Sequence, residues 1–220
     1  MNARNAFKAV LFDLDGTLLD TAPDMVAALD RLLETEGRDP VDYALARAHV
    51  SKGALGLIDM AFGQIDEAHR MSLRDRYLDT YAQSLAVASS LFDGMAEVLD
   101  YIERNDMHWG VVTNKPGYLA EPLLAELGLL PRSATTISGD TLPERKPHPR
   151  PLLYAAEQIS VAPGEAIYVG DDTRDIVAGN AAGMTTVAAL YGFILPGENP
   201  NDWPADHRIE QPGDLLAILS

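Results

Sequence analysis

An α/β fold built on a parallel sheet is predicted by three features of the 220-residue sequence. Short apolar runs alternate with stretches of helical periodicity through the second half of the chain, the order expected of a parallel sheet with helices on both faces. Those runs do not alternate apolar with polar, so each strand is covered on both sides. The first run, ending at Asp13, lies nearly a hundred positions before the second, around Trp109. A parallel crossover needs only about a dozen residues. The surplus reads as helical throughout, which predicts an all-helical domain, residues 20–89, inserted after the first strand. Residues 1–19 and 90–220 then form the sheet-bearing core.

Each element has its own warrant. Ala9-Val10-Leu11-Phe12 reads as a buried strand that breaks into Asp13, Leu14 and Asp15, with Gly16 permitting a tight turn. Thr21 is placed to cap a helix starting near Pro23, with Met25, Val26, Leu29, Leu32 and Leu33 on one face and Gly37 as its stop. Helical spacing continues near 42–50, 53–62 and 66–87, and no strand is expected between Gly37 and about Ser89. Asp93 is placed to cap a helix carrying Met95, Val98, Leu99 and Ile102. Trp109-Gly110-Val111-Val112 is the second strand, and a helix over 119–127 is closed by Gly128. Thr135-Thr136-Ile137 is a weaker third strand, followed by a helix from Pro149 or Arg150. Ala166-Ile167-Tyr168-Val169 is the fourth, Thr173–Ala182 a helix stopped by Gly183, and residues 186–190 a fifth strand. Residues 192–208, with three prolines, read as loop, and 215–219 as a last short helix.

Composition excludes several functions. At 47% hydrophobic and 23% charged, the chain has the make-up of a folded globular protein, with no run long enough to span a membrane. Met1-Asn2-Ala3-Arg4-Asn5 lacks the apolar core of a secretion signal, and a cytoplasmic location is expected. The absence of cysteine rules out disulfides, zinc–thiolate sites and a cysteine nucleophile. A net charge of −16 repels nucleic acid and anionic membrane surfaces, so neither is expected as a partner.

Ligands of open parallel sheets bind beyond the C-terminal ends of the strands. There the first run supplies Asp13 and Asp15, the second Thr113, Asn114 and Lys115, the third Ser138, Gly139 and Asp140 with Lys146 following, and the fourth Asp171, Asp172 and Asp175. Several carboxylates with no histidine or thiol suit a hard cation, and Mg²⁺ better than Ca²⁺. An EF-hand reading fails, because Leu18 stands where that loop requires glycine. Thr113, Asn114 and Lys146 are suitable donors to phosphate oxygens. Together these residues suggest phosphoryl transfer, in which a carboxylate can serve as nucleophile. The glycine-rich nucleotide and dinucleotide loops and the serine-hydrolase elbow are absent.

Four segments occur in the order of a known family. Phe12-Asp13-Leu14-Asp15-Gly16-Thr17-Leu18, Val112-Thr113-Asn114, Arg145-Lys146-Pro147 and Val169-Gly170-Asp171-Asp172-Thr173-Arg174-Asp175 resemble the four motifs of haloacid dehalogenase superfamily phosphatases. The resemblance implies a Rossmann-like core with a helical cap and a phosphatase mechanism. Asp13 would be the nucleophile and Asp15 the general acid and base. Thr113 and Lys146 would hold the phosphoryl group, with Asn114 also among the substrate contacts. Mg²⁺ would be held by Asp13, the Asp15 carbonyl and Asp171, with Asp175 acting through water. Asp172 would support this site or cap the following helix, and Arg174 would pair with an acid. An acid at Asp15 favours ester hydrolysis over dehalogenation, since an alkoxide needs a proton.

Further segments, including Lys146-Pro147-His148-Pro149 and Leu91-Phe92-Asp93-Gly94-Met95, are similar to the phosphoglycolate phosphatase-like group and to N-acetylmuramic acid 6-phosphate phosphatases. Specificity would then reside in the cap, where Lys52 within Ser51-Lys52-Gly53-Ala54 is the candidate substrate contact. The expected partner is a small phosphorylated metabolite, acted on by a monomer or homodimer. A phosphoglucomutase-like phosphotransferase and a non-catalytic phosphoester-binding protein are the alternatives.

Overall fold

The computed structural model describes residues 7–220. Strand β1 (Ala9–Phe12) leads to a two-residue β2 (Leu19–Asp20) and four helices, α1 (Ala22–Thr35), α2 (Tyr43–His49), α3 (Gly53–Phe62) and α4 (Glu67–Ala82). A second two-residue strand, β3 (Ser90–Leu91), precedes α5 (Met95–Arg104), β4 (His108–Val112), α6 (Gly117–Glu126) and β5 (Thr136–Ile137). The chain then runs through α7 (Arg150–Gln158), β6 (Ala166–Gly170), α8 (Thr173–Ala182), β7 (Thr185–Ala189), β8 (His207–Ile209) and α9 (Leu215–Leu219).

Six strands form one sheet in the order β5-β4-β1-β6-β7-β8, every pairing parallel. β1 lies between β4 and β6, with Phe12 opposite both Val111 and Val169, so these three strands end level with one another. Its unbroken apolar run follows from burial on both faces. Val10 and Phe12 pack with α5, α6 and α9 on one side, Ala9 and Leu11 with α7 and α8 on the other. From β1 the chain winds outward through β4 and β5, then returns to the opposite side at β6. That reversal opens a crevice at the ends of β1, β4 and β6, where ligands of doubly wound sheets bind.

Helices α1–α4 bury a cluster of their own, including Met25, Leu29, Leu33, Leu57, Leu73, Tyr77 and Tyr81, joined by Leu119 and Phe193 from the sheet-bearing part. The insertion therefore sits against the core over the strand ends. Among the described residues, no helix is long and apolar enough to cross a membrane.

The structure departs from the sequence expectations at four places. Among the described residues there is no strand between Gly37 and Ser89, as expected, but two short strands that the sequence pattern does not announce flank the insertion. β2 and β3 form an antiparallel ribbon at the foot of the insertion, too short to show a two-residue period. The helix expected over 66–87 ends at Ala82, and Ala86 turns left-handed at φ 56°. The helix expected to be capped by Asp93 has Gly94 at its N-cap, at φ 84°. Residues 192–208 are not all loop, because His207–Ile209 adds a sixth, edge strand whose first two residues are polar and so gave no apolar signal.

Candidate active site

Asp13 follows β1 directly, and its backbone N–H donates to Val169 at 2.9 Å, continuing the sheet ladder to the rim. Gly16 then turns the chain at φ +83°, where an L side chain is strained, and a Cβ there would overlap the Asp171 carboxylate. Gly170 plays a matching part at the end of β6, since its missing side chain admits the Cβ of Asp175. These two close approaches bring Asp13, Asp171 and Asp175 together, all buried, with one carboxylate oxygen of each lying within 4.8 Å of the others.

Three buried carboxylates so close repel one another. Burial, with Asp13 and Asp175 adding to it, pushes the Asp171 carboxyl up to about 7, and burial likewise raises Asp175. Lys146 supplies one compensating charge: its Nζ lies 2.8 Å from Asp13 Oδ1 and 2.7 Å from Asp175 Oδ1, and donates to the Tyr168 hydroxyl at 2.8 Å. Burial alone would lower the lysine pKa, but Asp13 and Asp175 raise it overall. A hard divalent cation fits this donor set, because the oxygens converge and carry more negative charge than one ammonium balances.

Asp15 faces a separate cation. Lys115 Nζ donates to Asp15 Oδ1 at 2.9 Å and Oδ2 at 3.2 Å, and Thr21 Oγ1 donates to Oδ1 at 2.6 Å. The Thr21 hydroxyl is thus engaged with Asp15 and makes no cap bond to α1, contrary to its expected role. Burial pulls the Lys115 pKa down, yet Asp15 and Tyr81 together raise it, so the ammonium stays charged. The ammonium also stands 4.5 Å from the centre of the Tyr81 ring.

Thr113 is buried at the end of β4, with its Oγ1 accepting from the Lys115 backbone at 3.1 Å. Asn114, expected to contact substrate, lies on the cavity wall and also bonds the Lys146 backbone. Its Nδ2 donates to the Lys146 carbonyl at 2.9 Å, and its Oδ1 accepts from the Lys146 N–H at 3.1 Å. Both amide groups are committed to the Lys146 backbone, so Asn114 locks the loop that delivers the lysine.

The insertion contributes through residues 50–54. Ser51 Oγ donates to Asp171 Oδ2 at 2.7 Å and reaches the Asp15 carbonyl at 3.3 Å, while its own carbonyl accepts from Arg174. Lys52 Nζ bridges Asp172 at 2.8 Å and Glu198 at 3.0 Å. Asp172 also caps α8 in a reciprocal box with Asp175, and Arg174 lies 3.8 Å from it, pairing with an acid as expected. The Asp172 carboxyl, though buried, is held low by Arg174 and Lys52.

Between insertion and core lies a cavity of about 590 Å³. Asp13, Asp15, Lys52, Thr113, Asn114 and Lys115 all line it, with an apolar wall from Met25, Tyr77, Tyr81 and Leu119. Such a cavity, with an apolar wall facing a set of converging charged and polar groups, has the character of a small-molecule site.

Residues 10–189 match the family model for haloacid dehalogenase-like hydrolases. The chain belongs to that family. A phosphoglycolate phosphatase of Xanthomonas campestris is 49% identical over 208 residues, covering 94% of each chain. An N-acetylmuramic acid 6-phosphate phosphatase of Pseudomonas putida is 45% identical over 213 residues, covering 96% of each. Among solved structures, a crystal structure titled as a predicted phosphoglycolate phosphatase from Haemophilus somnus superposes with a TM-score of 0.86 at 26% identity, covering 98% of this chain and 99% of that one. This haloacid dehalogenase-like hydrolase is a phosphoric monoester hydrolase.

Sequence reasoning gave no role to four groups that the hydrolase brings to its site. Lys115 was visible as the third residue beyond β4, but nothing in the local pattern tied it to Asp15. The Thr17 and Ser51 hydroxyls both reach Asp171, at 3.1 Å and 2.7 Å, across more than a hundred residues of sequence. Tyr168 lies within an apolar strand, and its one available signal is a phenol that must find partners when buried. It finds the Val112 carbonyl at 2.8 Å and Lys146.

Proposed function

We propose that this protein is a cytoplasmic, Mg²⁺-dependent phosphatase that hydrolyses a small phosphomonoester through an aspartyl-phosphate. Residues 1–19 and 90–220 are its catalytic core and residues 20–89 its cap. The relatives named above point to 2-phosphoglycolate or N-acetylmuramic acid 6-phosphate as substrate. The observation that carries the reading is the pair Asp13 and Asp15 at the mouth of the central strand, each held by its own lysine and both lining one cavity.

In this mechanism an Asp13 carboxylate oxygen attacks phosphorus. Asp13 Oδ1 is held by the Leu14 N–H at 2.7 Å and by Lys146, which fixes the direction of attack. As the Asp13–phosphorus bond forms, the bond to the ester oxygen breaks, and Asp15 gives that oxygen its proton. Asp15 then takes a proton from the water that attacks the aspartyl-phosphate, releasing inorganic phosphate and restoring Asp13. Lys146 and the Thr113 hydroxyl hold the phosphoryl oxygens, while Lys115 and Thr21 orient the Asp15 carboxyl. Asp13, Asp171 and the Asp15 carbonyl would hold Mg²⁺, with Asp175 supporting it, and the ion when bound neutralises charge on the phosphoryl oxygens. The cap, seated by Ser51 and Lys52, excludes water from the cavity.

Phosphate release from 2-phosphoglycolate and N-acetylmuramic acid 6-phosphate, with Mg²⁺ and with a chelator, tests this reading. Wild type should turn over one of them only with the metal, and leave a phosphoryl adduct on Asp13 detectable by mass spectrometry. Undiminished turnover by Asp13→Asn would remove the assigned nucleophile.

A further inference from the structure

The cavity has two ends of different character. Its inner end holds the buried Asp13, Thr113 and Lys115, and its outer end the exposed Tyr118 and Arg145. There α4 of the cap faces the core, with Arg74 and Asp75 within electrostatic reach of Tyr118.

Five cations line this space, and four have a carboxylate partner. Lys52 pairs with Asp172 and Glu198, Lys115 with Asp15, Arg174 with Asp172 and Arg74 with Asp75. Arg145 has no carboxylate partner among the described residues. In a chain with 33 acidic and 17 basic residues, an unpaired guanidinium on a cavity wall stands out. Asp140, an acid on the same wall, is engaged elsewhere, accepting from the Gly117 N–H at 2.8 Å at the start of α6.

Position adds the scale. Arg145 directly precedes Lys146, whose ammonium is turned to Asp13, whereas Arg145 is exposed at the outer end. An anionic group held there is separated from phosphorus by the depth of the cavity. At about 590 Å³ the space lies in the range, roughly 300–1,000 Å³, that encloses multi-ring ligands, and a two-carbon ester would leave most of it filled with water.

We infer that Arg145 is a specificity-determining residue that binds the carboxylate of a sugar-sized phosphomonoester, at the end of the substrate remote from phosphorus. A guanidinium is suited to this, since its planar donors match a carboxylate two bonds at a time. The inference rests on the phosphatase reading and extends it by choosing the larger of the two substrate sizes.

The test compares N-acetylmuramic acid 6-phosphate with N-acetylglucosamine 6-phosphate, which has the same ring without the carboxylate. Wild type should prefer the carboxylated ester in kcat/KM. Arg145→Gln should cut that preference about tenfold or more, mainly through KM, and Arg145→Lys should retain part of it. Equal effects of Arg145→Gln on both esters, or a wild type that favours 2-phosphoglycolate over both sugars, would overturn the inference while leaving the phosphatase reading intact. Release of phosphate from none of the three by wild type would overturn both.

Discussion

Replacing Lys146 by methionine separates the electrostatic from the catalytic work of one side chain. The stem remains in place, so packing is largely conserved, and what is lost is the ammonium between Asp13, Asp175 and Tyr168. The side chain is 1% exposed and those of its two acidic partners 5% and 0%, so water cannot replace the missing charge. Removing one member of a buried ion pair costs about 3–5 kcal/mol, because the other is left uncompensated. For a domain of this length each kcal/mol moves Tm by roughly 2–4 °C, so the metal-free variant should melt about 6–20 °C below wild type. Mg²⁺ offers the carboxylates another counter-charge and should therefore stabilise Lys146→Met more than wild type. Turnover should not recover with it, since the proposed donor to the phosphoryl oxygens is gone, and a loss of about 10²–10³ in kcat is expected. Calorimetry in chelator and in Mg²⁺, beside phosphate-release kinetics, measures both effects. An unchanged Tm in chelator would refute the claim that Lys146 is the cluster's structural counter-ion.

Other consequences follow from single contacts. Asn114→Ala removes two hydrogen bonds to the Lys146 backbone, worth about 1 kcal/mol each. It should lower kcat more than it raises KM, and a pure KM effect would return Asn114 to the substrate. Gly16→Ala forces a side chain into a left-handed turn and against Asp171, so Mg²⁺ affinity by titration calorimetry should fall sharply, and wild-type affinity would contradict the packing. The Asp171 carboxyl, near 3.8 when exposed and about 7 here, gives a pH dependence of definite sign. Between those values the metal-free native state binds more protons than the unfolded chain, so stability falls as pH rises through that window. Saturating Mg²⁺ should flatten this slope, as seen in melting curves taken at about pH 5 and pH 8.

The strand ends are readable from sequence because each apolar run stops abruptly at a polar residue. Asp13, Thr113 and Asp171 stand within one residue of a strand terminus, and the level register of β1, β4 and β6 makes them neighbours. Helix α8 was legible to the residue, since Asp172 begins it and the left-handed Gly183 ends it. What stayed hidden depends on tertiary distance. The hydroxyls of Thr21 and Ser51 are read from sequence as a helix cap and part of a cap contact loop, and only folding turns them to Asp15 and Asp171. Asn114 shows the same limit: an amide can donate to phosphate or to backbone, and its two bonds to the Lys146 backbone appear only in the folded chain. β2, β3 and β8 were missed because a few residues carry too little period to separate strand from loop.

The arrangement of charge explains how two aspartates two positions apart would take different parts. Asp13 belongs to a dry cluster of three acids around Lys146, whereas Asp15 is set apart with Lys115 and Thr21. Leu14 separates them, itself fully buried, and the two carboxyls find different partners, Lys146 for Asp13 and Lys115 for Asp15. Lys115 comes from the loop after β4 and Thr21 from the start of the cap, so the surroundings of Asp15 are completed from both sides of the cavity. Ser51 makes the same link on the other side, joining the cap to Asp171 and the Asp15 carbonyl. A cap lifted away would withdraw the Ser51 hydroxyl from the groups proposed to hold the metal, coupling closure over substrate to the order of the metal-binding acids.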